Sequence, residues 1–352
     1  MPESLPSARA LPAGVDLAQY KSEVLHRTYR GRMRPISHYS LGRLPRWISV
    51  LDRLGRIGPA LANRALADKR LGRLLLRGAG IDPRRAAPAF ATQTFHRWWF
   101  HNRRADGEND ANARTPVVLW TDSFTDGMNP EVAQAAVTVL TRAGYRVIVP
   151  DVVACCGLTW ITTGQLTGAK KRLQRLLDVL GPYAARNIPI VGLEPSCTAV
   201  LRSDLVELLP DDPRSAQVAG ATRTLSELLT FHLPDGHHWQ PPDLSGLELI
   251  VQPHCHQHAV MGFGADAKLL SDCGADLRVL SGCCGLAGNF GMEKGHYEMS
   301  VAIAENALLP ALRARTDRSI VLADGFSCRT QVQQLTGLPS TTLVQLLADR
   351  GR

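Results

Sequence analysis

The stretch Arg146-Val147-Ile148-Val149-Pro150-Asp151-Val152-Val153-Ala154-Cys155-Cys156-Gly157 reads as a short apolar strand that runs into two adjacent cysteines and a glycine. Farther along, Leu277-Arg278-Val279-Leu280-Ser281-Gly282-Cys283-Cys284-Gly285 is built the same way. Short apolar runs bounded by turn residues are strands. A glycine after each pair lets the backbone turn close past the sulfurs. One unit occurring twice implies an internal duplication.

The segments on either side agree. Before the first pair come a strand, Val117-Val118-Leu119-Trp120, and a helix from about Pro130 to Ala143. After it come a helix at Leu173 to Leu180, a strand at Ile188 to Gly192 and a helix at Ala199 to Leu209. The second copy repeats this order with strands at Leu247 to Val251 and Ile320 to Ala323, and helices at Ala265 to Asp272, Val301 to Arg313 and from Thr330. Strands alternating with helices imply parallel sheets with crossover helices. The expected fold is therefore α/β, two duplicated Rossmann-like halves with an N-terminal helical segment. The expected divisions are an Arg-rich helical segment and linker (1–114), repeat one (115–209), a connection (210–246) and repeat two (247–352).

The 352 residues are 45% hydrophobic and 20% charged, an ordinary globular composition. No apolar run is long enough to cross a bilayer, and Met1-Pro2-Glu3-Ser4 opens no signal pattern. The expected location is cytoplasmic, with peripheral contact at the inner membrane. The net charge of +8 is concentrated in arginines of the first third, such as Arg27, Arg30, Arg32, Arg43, Arg53 and Arg73. No nucleic-acid motif accompanies them, so a solvated basic face is the simplest reading, with no nucleic-acid partner. Val15 to Tyr29 and Trp47 to Leu76 carry apolar residues at helical spacing. Phe95 to Phe100, with Trp98 and Trp99, reads as a strand or a hydrophobic anchor, and His237-His238 as an exposed turn.

None of the eight cysteines lies in the first 150 residues. Clustered cysteines in a chain with no secretory signal point to metal or redox chemistry before disulfides. Cys197 follows the third strand of copy one and Cys328 the third strand of copy two. Cys255 follows the first strand of copy two, where copy one has Thr121-Asp122-Ser123. All these positions fall beyond the carboxyl ends of strands, where open α/β sheets place their ligands. Cys197 and Cys328 open helices, whose N-termini favour thiolate. Soft sulfur donors suit iron–sulfur clusters or zinc, and vicinal cysteines without Cys-x-x-Cys spacing suit a multi-iron cluster better. Cys255, Cys283, Cys284 and Cys328 are enough for one [4Fe–4S] cluster. Cys155, Cys156 and Cys197, with Asp122 as a possible oxygen ligand, make a second site that holds a cluster with an unusual ligand, binds one weakly or stays empty. Cys273 matches no repeat position and reads as a buried small residue. His254, His256 and His258 read as neighbours that hydrogen-bond around Cys255. Glu293, His296 and Tyr297 read as packing beneath the second pair.

The motifs Gly192-Leu193-Glu194-Pro195-Ser196-Cys197, His254-Cys255-His256, Gly282-Cys283-Cys284-Gly285-Leu286-Ala287-Gly288 and Asp324-Gly325-Phe326-Ser327-Cys328 resemble the cysteine-rich CCG domain family. Its members include the CCG-bearing subunit of heterodisulfide reductase, the iron–sulfur subunit of glycolate oxidase, lactate-utilisation proteins and the C-terminal part of FAD-linked D-2-hydroxyacid dehydrogenases of the D-lactate type. The last group is the most similar. The resemblance implies an iron–sulfur electron-transfer module that passes electrons from reduced flavin to an acceptor, a quinone or a redox protein. FAD would be carried by a partner subunit or by a missing domain. Relatives carry ferredoxin-type cysteine motifs where this chain has Ser7-Ala8-Arg9-Ala10-Leu11-Pro12, so the chain reads as a fragment, a split subunit or a degraded gene product. The alternatives are a subunit like that of heterodisulfide or thiol reductases, disfavoured by the missing final Cys-x-x-Cys, and a non-catalytic metal-binding scaffold.

Overall fold

The computed structural model describes residues 16–102, 114–236 and 239–351. Two parallel sheets form its centre. In the first, β1 (Thr115–Trp120), β2 (Tyr145–Ile148), β3 (Ile190–Gly192) and β4 (Thr222–Arg223) take the order β2-β1-β3-β4. In the second, β5 (Glu248–Val251), β6 (Asp276–Val279) and β7 (Ser319–Leu322) take the order β6-β5-β7. Val117, Val118 and Leu119 of β1, and Leu249 and Ile250 of β5, are fully buried. Unbroken apolar runs are what a central strand covered by helices on both faces requires.

The duplication goes further than the cysteines. Thr341 bridges Leu322 in parallel, a rudiment of the strand that β4 supplies in the first half. Each leads into a helix capped in the same way. Thr224 and Glu227 close a capping box on Leu225–Phe231, and Thr342 and Gln345 close one on Leu343–Arg350. These final helices are exchanged between halves. Leu343–Arg350 packs along Pro130–Arg142, and Leu225–Phe231 packs along Gly264–Asp272. Val132, Leu140, Leu228, Leu269, Leu322 and Leu347 thereby share one core. Each buried leucine contributes about 1.5–3 kcal/mol, so the exchange holds the two cysteine edges in a fixed relation.

Several sequence expectations change here. Residues 210–246 are not merely a connection, since β4 and Leu225–Phe231 complete the first half. Phe95–Asn102 is a helix and not a strand. Phe95 packs on Trp98 and Trp99, three and four residues on, which a strand would send to opposite faces. Phe95 is fully buried, so the anchoring role holds. The Trp47 to Leu76 stretch resolves into Leu44–Arg53, Ile57–Ala67 and Leu71–Gly78. Ala199 to Leu209 and Val301 to Arg313 each break into two helices, at Ser203 and before Leu308. The linker at 103–113, the Ser7 to Pro12 stretch and His237-His238 lie outside the described residues.

The N-terminal segment straps both halves. The Arg34 guanidinium donates to the carbonyls of Thr163 and Gly164, both at 2.8 Å. Ile81 bridges Glu293, and Asp82 N–H donates to the Met292 carbonyl at 2.9 Å.

Candidate metal centres

Each cysteine pair lies past the carboxyl end of its sheet's second strand, and Cys197 and Cys328 are the third residues of Pro195–Arg202 and Phe326–Thr336. In the second half the thiols stand in succession, Cys255 beside Cys283, Cys283 beside Cys284 and Cys284 beside Cys328. In the first half the order is Ser123, Cys155, Cys156, Cys197. The Gly285 N–H reaches Cys283 Sγ at 3.3 Å, and the Gly157 N–H reaches Cys155 Sγ at 3.4 Å. Gly285 has φ of 91°, and a Cβ there would lie 2.1 Å from the Ser300 carbonyl oxygen, so only glycine makes this turn. At Gly325 a Cβ would meet the His254 ring at 2.3 Å and stand 3.3 Å from Cys328 Sγ, so the loop must pass close to the sulfur.

The two sets differ in how neighbouring groups shift their thiols. Cys283 is held well below the usual thiol range because the Cys255 and Cys284 thiols and the Gly285 N–H all donate to it. Cys255 and Cys284 are pushed up, first by donating to Cys283. In the first half Cys155 is pushed up by its bond with Cys156 and by burial, and Cys156 by burial. The helix N-terminus does not make Cys197 a thiolate. Burial pushes it up to about 12, and the carboxyls of Asp122 and Glu194 add to the effect. In both sets a bound metal would draw protons off the thiols.

Asp122 is not free to be an oxygen donor. Its Oδ1 accepts from the N–H groups of Phe124 and Thr125 at 2.8 and 3.1 Å, and its Oδ2 accepts from Thr125 Oγ1 at 2.6 Å. It caps the helix that Ser123 begins. His254 Nδ1 accepts the His256 N–H at 3.2 Å, which leaves Nε2 to donate to Ser327 Oγ at 3.3 Å. Burial lowers its pKa to about 3, so the ring stays neutral. Cys273 is buried in the shared core, away from both sets. His296 stacks on Phe290 at 4.3 Å, and Glu293 accepts from Asn289 at 2.5 Å.

Two arginines that sequence reasoning passed over face the thiols. Arg85 is buried, lies 4.8 Å over the Tyr297 ring and donates to Gly291 O, Gln331 and Ser300 Oγ at 2.7–2.8 Å. Its charge faces Cys284. Arg172 lies 3.3 Å over the Trp160 ring and faces Cys155. Their signal was hidden, because each sits in a run of basic residues, Arg84-Arg85 and Lys170-Lys171-Arg172. Between the halves, Glu194 accepts from Ser196 Oγ and from the Phe326 N–H, both at 2.7 Å. Burial and then the Asp122 charge raise its pKa to about 7.

Among the described residues, no three His, Cys, Asp or Glu side chains close on a point as one ion requires. Soft sulfur donors gathered from separate segments suit an iron–sulfur group or zinc rather than a hard cation.

Residues 121–202 match the family model described as a cysteine-rich domain, CCG. The chain is 27% identical over 313 residues to the subunit designated C of anaerobic glycerol-3-phosphate dehydrogenase from Escherichia coli (strain K12), covering 86% of this chain and 76% of that one. It is 25% identical over 350 residues to D-2-hydroxyglutarate dehydrogenase of the same organism, covering 96% of this chain but only 33% of that protein. Lactate utilization protein A of Bacillus velezensis is 28% identical over 189 residues, 50% of this chain and 75% of its own length. Residues 121–202 thus match a cysteine-rich CCG domain, in a chain similar over most of its length to these dehydrogenase subunits and enzymes.

Proposed function

We propose that the chain is the iron–sulfur electron-transfer module of a flavin-linked dehydrogenase acting on a 2-hydroxyacid or a comparable small hydroxylated substrate. The observation that carries this reading is the meeting of Cys255, Cys283, Cys284 and Cys328, from three separate segments, at one edge of the second sheet. These four would hold a [4Fe–4S] cluster, and Cys155, Cys156 and Cys197 would supply ligands for a second. When bound, such a cluster takes up and releases one electron at a time. The chain's own residues set its surroundings. Arg85 and Arg172 offset the negative charge of thiolates and cluster, His254 stays neutral beside the site, and exposed Cys255 brings the cluster to the surface where a partner can approach. FAD would reside on a partner subunit or domain, in keeping with relatives named as one part of a dehydrogenase and as the whole of another. We take residues 115–231 and 247–352 as the repeats, the first carried past 209 by β4 and Leu225–Phe231.

Among the described residues no helix is long and apolar enough to cross a membrane. The helices between Leu44 and Gly78, with the turn at Leu54, expose Trp47, Leu54, Ile57, Leu61 and Leu74 among arginines. Apolar residues interleaved with arginine suit peripheral contact with an anionic membrane surface.

The test is anaerobic purification with iron and sulfide analysis and EPR of the reduced protein. About four irons per chain or more, of which about four are lost in the Cys283→Ser/Cys284→Ser variant, supports the reading. Absence of iron and sulfide under strictly anaerobic conditions refutes it.

A further inference from the structure

The two halves differ at one corner of their cysteine sets, and that corner is built rather than vacant. Cys255 follows the central strand β5 and stands beside Cys283, the first cysteine of the second pair. Ser123 follows the central strand β1 as Cys255 follows β5, and lies on the side of Cys155, whose Sγ takes the Gly157 N–H as Cys283 Sγ takes the Gly285 N–H. From there the two sets run in parallel, Cys155-Cys156-Cys197 against Cys283-Cys284-Cys328.

Ser123 is held in place. It is 8% exposed and begins the helix Ser123–Gly127, whose first turn is clamped by three hydrogen bonds to Asp122. Phe124 stacks on Phe326 of the other half at 5.2 Å, which fixes the helix against the loop before Cys328. Arg172 faces Cys155 from its seat on Trp160, so a full positive charge stands by the set that has one thiol fewer.

We propose that Ser123 is the fourth ligand of an iron–sulfur cluster in the first half, binding iron through Oγ where the second half uses the sulfur of Cys255. This rests on the iron–sulfur reading above. Binding exchanges a hydroxide on iron for the serine alkoxide: the Fe–Oγ bond forms, the Fe–hydroxide bond breaks, and the hydroxyl proton leaves with the hydroxide as water. No electron moves. An alkoxide is a harder donor than a thiolate and favours ferric iron, so the serine-ligated centre is the lower-potential member of the pair. The duplicated fold thus carries two unequal electron stations.

The experiment reconstitutes the full chain anaerobically with isotopically enriched iron. It compares wild type, Ser123→Cys and Ser123→Ala by iron and sulfide content, Mössbauer spectroscopy, EPR and redox titration. The second half serves as the internal reference. Wild type is expected to hold about eight irons, with one iron site spectroscopically distinct from the rest. Ser123→Cys should keep about eight and raise the midpoint potential of one centre only. Ser123→Ala should fall to about seven, with a three-iron signal from the first centre. The proposal is overturned if Ser123→Ala matches wild type in iron content and spectra. It is also overturned, with the iron–sulfur reading intact, if wild type holds only about four irons and all of them depend on Cys283 and Cys284. No iron in any variant overturns both.

Discussion

Asp266 lies in the helix Gly264–Asp272, only 3% exposed, in the seam between the halves. Its Oδ1 accepts from Ser226 Oγ of the other half at 2.8 Å, and its Oδ2 has no partner. Burial, and then the carboxyl of Asp324, raise its pKa from 3.8 to about 7. The folded state therefore binds this proton more tightly than the unfolded state. The stabilisation is complete below the unfolded value near 3.8 and is lost as pH rises through about 7. A shift of roughly three units is about 4 kcal/mol in all, of which about 2 kcal/mol falls between pH 5.5 and 8. Asp266→Asn removes the titration and leaves Oδ1 for Ser226. Its amide can serve Gln252 Oε1, a buried acceptor without a partner on the same small cavity of about 10 Å³. Urea unfolding of both proteins at pH 5.5 and 8 is the assay. The variant should gain about 2 kcal/mol on wild type between the two pH values, about 0.7 M in midpoint at a slope near 3 kcal/mol/M. A gap between the two proteins that stays constant across that range refutes the reasoning.

Other outcomes follow from the same geometry. Gly285→Ala forces a side chain into φ of 91° and against the Ser300 carbonyl, and should cost about 2–4 kcal/mol in chemical denaturation. Arg172→Gln removes the cation facing Cys155, so redox titration should show the first-half centre shifted to lower potential and the second unchanged. Changing Leu54, Ile57 and Leu61 together to serine should weaken flotation with anionic vesicles, and salt should weaken wild-type flotation as well.

The paired cysteines were legible because their chemistry is local: two thiols, a glycine and the end of an apolar strand lie within a few residues. The repeat was legible for a similar reason, since apolar runs and helical periodicities recur in one order. The end of the first repeat was not. Thr222–Arg223 is only two residues of strand, and its place is decided by pairing with Ile190 and Val191 far back in the chain. The helix at Phe95 was misread because a cluster of aromatics fits either period until the packing of Phe95 on Trp98 and Trp99 selects one.

What the sequence determined by itself is the α/β class, the duplication and the identity of the candidate donors, because each depends on residue type and spacing along the chain. Only the tertiary structure decided what surrounds those donors. It lowers the Cys283 thiol below its neighbours, spends the Asp122 carboxylate on a helix cap, puts Ser123 on the side of Cys155 and sets Arg85 and Arg172 near the two sets. Charge and burial act through space and fall off with distance, so they belong to neighbours that folding selects and that no single stretch of chain contains.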